Sequence, residues 1–94
     1  MVVEASCYTN TIAQTDSSPD ITASGWKIEK GDKIIAANFL PFETKVIIGE
    51  DVYTVRDRMN PRYTGRNIDI LFDDYDECIE FGRRNIKIKT FNIK

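Results

Sequence analysis

The 94-residue chain contains no histidine, which excludes Ser-His-Asp and Cys-His catalytic arrangements together with the usual neutral-pH base. Its two cysteines, Cys7 and Cys78, lie far apart and match no zinc or redox spacing. With histidine missing too, neither a metal site nor a cofactor is expected. No run approaches the ~20 apolar residues of a membrane span, and Met1-Val-Val-Glu-Ala5 has neither the basic nor the apolar region of a signal peptide. The chain is therefore expected to be soluble, as an intracellular protein, an excised mature domain, or one exported by another route. Its net charge of -2, from 13 basic and 15 acidic residues, supplies no general pull toward nucleic acid or anionic lipid. Arg56, Arg58, Arg62 and Arg66 gather around Tyr63, but without an interleaved aromatic series they make a weak oligonucleotide signal. No nucleic-acid partner is expected.

What the chain does have is an apolar fraction of 41%, enough for one modest core in one domain, residues 1–94 with a core of about 3–90. Residues 2–8 read as a first strand, with Val3, Ala5 and Cys7 on one face. Cys7 then looks like a small core residue. Residues 10–24 are rich in Thr, Ser, Asp and Asn without apolar periodicity, and are expected to form a long surface loop. Residues 25–28, 33–37 and 44–48 read as short strands, followed by 52–57 and 67–72. Asp73 or Asp74 can cap a short helix with Glu77 placed as in a capping box and Gly82 as the stop. On that helix Tyr75, Cys78 and Ile79 share a face, and Cys78 reads as an inert core thiol. Residues 84–90 alternate cleanly and should form one closing strand, Ile86 and Ile88 inward. The spacing is that of a mainly β chain, a compact barrel or sandwich.

Two carboxylates stand out, because aspartate is depleted in strands. Asp69 lies between Ile68 and Ile70, which must share a sheet face, so Asp69 and Leu71 take the other. Held rigidly and flanked by isoleucines, it is the best-placed general acid in a chain without histidine. A salt-bridged structural aspartate is an equal alternative, given four arginines nearby in sequence. Asp57 ends the preceding strand and can orient Asp69, bind substrate, or cap the following turn. Trp26, Tyr8 and Tyr53 can stack on sugar rings or fill a small barrel.

The order Glu4-Ala-Ser-Cys-Tyr-Thr9, Thr22-Ala-Ser-Gly25, Leu40-Pro-Phe-Glu-Thr44, Val55-Arg-Asp-Arg58, Gly65-Arg-Asn-Ile-Asp-Ile70 resembles the three-aspartate domain proteins, the RlpA-like proteins and the MltA-type lytic transglycosylases. The resemblance runs from about residue 3 to 89. It implies a six-stranded double-psi β-barrel with one or two short helices. It also implies a monomer acting on peptidoglycan glycan strands, extracytoplasmic or cell-wall associated, with a phage-encoded or excised domain left open. Carried over residue by residue, it makes Asp69 the catalytic acid and base and Asp57 its supporting aspartate. Thr22, Gly25 and Tyr8 would contact or shape the sugar site, joined by Arg58 and Arg66 from the matched motifs. The chain departs from the pattern in three places. No acid stands near Ala36-Ala-Asn38, where the first family aspartate falls; Glu43 replaces a common glycine; the large second domain of the MltA-type enzymes is missing. A hydrolase, a non-catalytic glycan-binding barrel of expansin-like type and a structural barrel in a phage or cell-wall assembly remain alternatives.

Overall fold

Valine and isoleucine dominate the strands, and branching at Cβ suits them to the pleated surface they cover. The computed structural model describes residues 1–9, 21–29 and 31–92. Seven strands and one helix follow in the order β1 (Val2–Thr9), β2 (Ile34–Ala37), β3 (Thr44–Ile48), β4 (Asp51–Asp57), β5 (Asn67–Phe72), α1 (Tyr75–Phe81), β6 (Arg84–Lys87) and β7 (Lys89–Asn92). One sheet holds all the strands in the order β6-β1-β5-β2-β4-β3-β7. Its two edge strands, β6 and β7, are halves of one segment, separated only by Ile88. The sheet therefore curls into a nearly closed barrel.

This break is the first difference from the expected six strands. The expected closing strand 84–90 changes partner at Ile88: its first half pairs antiparallel with β1, its second with β3. Ile88 is buried in the core, and its N–H donates to the Met1 carbonyl at 2.8 Å. A strand that spans two edges of a barrel must bend, and the bend falls at Ile88, whose N–H and carbonyl both bond to Met1.

Neighbouring elements follow from local chemistry. Gly49 leads a two-residue hairpin between Ile48 and Asp51 with φ 60°, a positive angle that glycine adopts without steric cost. Asp74 caps α1, its Oδ1 accepting the Asp76 N–H at 2.7 Å, and Gly82 ends it at φ 62°, donating to the Cys78 carbonyl at 3.2 Å. Glu43 keeps a positive φ of 72°, a conformation costing a side-chain-bearing residue ~1–2 kcal/mol. Its N–H donates to the Val55 carbonyl at 2.8 Å and its carboxylate pairs with Arg56 at 2.6 Å, which holds the residue in place.

Val3, Ala5, Ile35, Ala37, Val46, Val55, Ile68, Ile70 and Ile88 fill the barrel. A smaller cluster, Ile28, Ile34 and Leu71 with Tyr8 against it, lies on the other side of β2 and β5. β2 is consequently buried along its whole length. Three further expectations need correction. Residues 25–28 form no strand; only an isolated bridge joins Ile21 to Lys27, because a turn at residues 22–25 occupies the backbone. Tyr75 and Ile79 are 62% and 61% exposed and do not share the burial of Cys78, since a seven-residue helix against β1 buries only a narrow stripe. Cys7 and Cys78 are not separate core thiols but a disulfide across 71 residues of chain, tying α1 to β1. Of the expected loop 10–24, residues 10–20 lie outside the described residues. Among the described residues no helix is long and apolar enough to cross a membrane.

Candidate functional site

Ala36 sits at the centre of the candidate site because β2 runs between β5 and β4. It is the register partner of Asp69 on one side and of Asp57 on the other. On the far side of β5, Asp69 is paired in register with Ser6 of β1. Ser6, Asp69, Ala36 and Asp57 thus form a row across four strands. Register partners project to the same side of a sheet, so the row's side chains share a face with Tyr8, Ile34 and Leu71. In the row the methyl group of Ala36, itself 4% exposed, stands between the aspartates, and the Tyr8 phenol on the same face reaches Asp57. Two strand spacings separate the aspartate backbones, ~10 Å.

Asp57 reaches this face through an irregularity. Ile35 pairs with Val55 and Ala36 with Asp57, leaving Arg56 as an extra residue in β4. Val55 points into the core, and uninterrupted alternation would send Asp57 after it. A bulge reverses that parity, and Asp57 turns toward Tyr8 instead.

The polar partners are specific. Ser6 donates its hydroxyl to Asp69 Oδ1. Asp57 Oδ1 accepts the N–H groups of Ala23 and Arg58, both at 2.9 Å, and Oδ2 accepts the Tyr8 phenol at a long 3.5 Å. Burial raises the Tyr8 pKa far above the ordinary phenol value, and the charges of Asp57 and Asp69 and the hydrogen bond to Asp57 add to it. Tyr8 is therefore a standing donor and never a base near neutral pH. Neither aspartate forms an ion pair among the described residues. The arginines have other tasks. Arg56 pairs with Glu43 and stacks on Trp26; Arg58 donates to the carbonyls of Ala37 and Leu40 at 2.7 and 2.9 Å and stacks on Phe42; Arg62 lies by Tyr63.

The remaining expected contacts divide between surface and scaffold. Thr22 is buried, and its Oγ1 accepts the Trp26 N–H at 3.1 Å and lies 3.0 Å from Ser24 Oγ. Gly25, at φ 85°, completes this turn. Arg66 is exposed just before β5, three positions before Asp69. Of two surface clefts, one includes Ser6 of the row, and neither is lined by Asp57 or Asp69. One of about 420 Å³ lies between β1 and α1 and includes Ser6, Tyr8, Tyr75 and Ile79; the other, about 470 Å³, includes Asn38, Phe39, Arg58 and Tyr63. Among the described residues no cluster of acidic or sulfur ligands could hold a metal ion.

No family model and no curated protein matches the chain.

Sequence reasoning singled out both aspartates and Tyr8 but passed over Ser6 and Asn38. Ser6 was legible only as a surface position of β1, since its pairing with Asp69 joins positions 63 residues apart. Asn38 clasps the β4–β5 connection: its Nδ2 donates to the carbonyls of Asn60 at 2.9 Å and Tyr63 at 3.2 Å, while Oδ1 accepts the Met59 N–H at 2.9 Å. An aspartate could not make the first two bonds. The amide at this position therefore has a structural use.

Proposed function

We propose that the chain is a peptidoglycan-cleaving domain of the lytic transglycosylase type, with Asp69 as the single acid and base. What carries the reading is the row in which Asp69, bonded to a serine hydroxyl and to no cation among the described residues, stands across a methyl group from Asp57. In this scheme Asp69 protonates the glycosidic oxygen between N-acetylmuramic acid and N-acetylglucosamine. An oxocarbenium-like state forms, and the charge of Asp57 favours it. The Asp69 carboxylate then takes the proton of the muramic acid 6-hydroxyl, whose oxygen closes the 1,6-anhydro ring. No water is consumed. The same reading assigns the barrel to the double-psi type, supported by two parallel pairings, β1 with β5 and β2 with β4, joined through the antiparallel β2–β5 pair. An extracytoplasmic setting is supported by the Cys7–Cys78 disulfide, since such bonds persist in oxidising compartments.

Purified sacculi incubated with the protein should release fragments with anhydromuramic ends, each one water lighter than a hydrolysed product by mass spectrometry. Absence of cleavage, or full activity in Asp69→Asn, removes the proposal. Products of full mass would convert it to hydrolysis, for which an inverting pair of carboxyl groups needs a separation of ~6.5–9.5 Å. One observation favours a second reading, a non-catalytic glycan-binding barrel: a methyl group and an amide, Ala36 and Asn38, occupy the segment where the resembling family carries an acid. Sacculus binding that Asp69→Asn leaves unchanged, without soluble products, would select it.

A further inference from the structure

Trp26, the only tryptophan in the chain, follows the turn that Asp57 anchors through the Ala23 N–H. It is 41% exposed, yet its ring is held from two sides. The Arg56 guanidinium lies 3.7 Å from the ring centroid, and the indole Nε1 donates to Asp32 Oδ2 at 3.1 Å. Both holding groups are themselves fixed, Arg56 by Glu43 at 2.6 Å and Asp32 by the Glu29 N–H at 2.8 Å. A core aromatic would bury its faces. Here Arg56 covers one face and Asp32 holds one edge, while 41% of the residue stays exposed.

We propose that Trp26 is a stacking platform for an N-acetylglucosamine ring of the glycan, adjoining the aspartate row; this rests on the glycan-cleaving reading above and adds a binding position to it. The apolar C–H face of a pyranose complements the electron-rich face of an indole. A ring already immobilised loses little freedom on binding, so the contact is not offset by ordering. Charge selects the sugar. Asp32 has no cationic partner among the described residues, and its carboxylate at the indole edge repels the lactyl carboxylate of N-acetylmuramic acid while leaving neutral N-acetylglucosamine unaffected.

Because the chain has one tryptophan, its fluorescence reports the platform alone. The N-acetylglucosamine tetramer titrated into the Asp69→Asn protein should shift the emission saturably to shorter wavelength, and the same tetramer should compete the protein off sacculi. Trp26→Ala should weaken sacculus retention about tenfold and Trp26→Phe about threefold, as one stacking contact implies. A tetramer that displaces the protein from sacculi without altering the emission overturns the platform and leaves glycan cleavage standing. Emission that shifts while sacculi yield no products in the wild type keeps the platform and removes the enzyme.

Discussion

Asp57 and Asp69 share one register partner, Ala36, although their own strands never pair with each other. The relationship depends on a strand running parallel on one side and antiparallel on the other, and on one extra residue in β4. The two carboxylates are nevertheless unequal, because their neighbours differ.

Asp57 holds backbone, so its removal should be felt in stability. Asp57→Ala leaves the Ala23 and Arg58 N–H groups without that acceptor and should cost about 1–3 kcal/mol, whereas Asp57→Asn retains an acceptor oxygen and should cost less than about 1. Asp69→Ala loses only the Ser6 hydroxyl and should change stability by about 1 kcal/mol or less while abolishing the proposed glycan cleavage. Urea midpoints beside product analysis separate the two roles.

Tyr8 makes a prediction about alkaline pH. Its folded-state pKa lies above the unfolded value of 10.0 because of burial first and the Asp57 charge second. Below pH 10.0 both states hold the proton, and the group adds no slope. Above it the unfolded chain releases the proton first, so stability falls as pH rises, by up to ~1.4 kcal/mol per pH unit. Tyr53, raised chiefly by burial, adds in the same direction. Denaturation followed from pH 8 to 11 should show this decline, and Tyr8→Phe should flatten it. In Asp57→Asn the Tyr8 phenolate should appear at lower pH, as read by ultraviolet absorbance.

Asn38 tests the departure from the resembling family. Asn38→Asp, although it brings in the family's residue type, turns two donors toward Asn60 and Tyr63 into acceptors facing carbonyl oxygens. A loss of about 1–3 kcal/mol is expected, with greater exchange of the 59–63 amides. Unchanged stability would mean that the clasp is not needed to hold the loop.

The Cys7–Cys78 bond closes most of the chain into a loop. Reduction, or Cys7→Ala with Cys78→Ala, should lower stability by about 3–4 kcal/mol. Thermal unfolding with and without reductant measures it, and release of α1 from β1 should appear as faster amide exchange in α1.

The elements were legible where one local rule acted alone. β3 and β5 coincide with their expected bounds because alternation and turn residues agree there, and Asp74 and Gly82 mark the helix by chemistry local to each. Legibility failed where a segment answers to two partners. Residues 84–90 alternate as one strand, but barrel closure divides the segment at Ile88. Residues 25–28 carry strand-forming side chains, but the turn headed by Thr22 takes their backbone. Tyr75 and Ile79 match Cys78 in helical spacing, yet of the three only Cys78 is buried. Glu43 holds a positive φ despite its side chain because Val55 and Arg56 bind the residue in place.

Sequence alone settled that histidine chemistry is unavailable to this protein and that Asp69 leaves the core face, because alternation between Ile68 and Ile70 is a property of one strand. Tertiary structure alone decided that Asp57 turns to the same face, that Ser6 and not an arginine meets Asp69, and that the cysteines join. Those outcomes depend on register, a bulge and chain closure, which set the distance between residues that the covalent chain leaves independent.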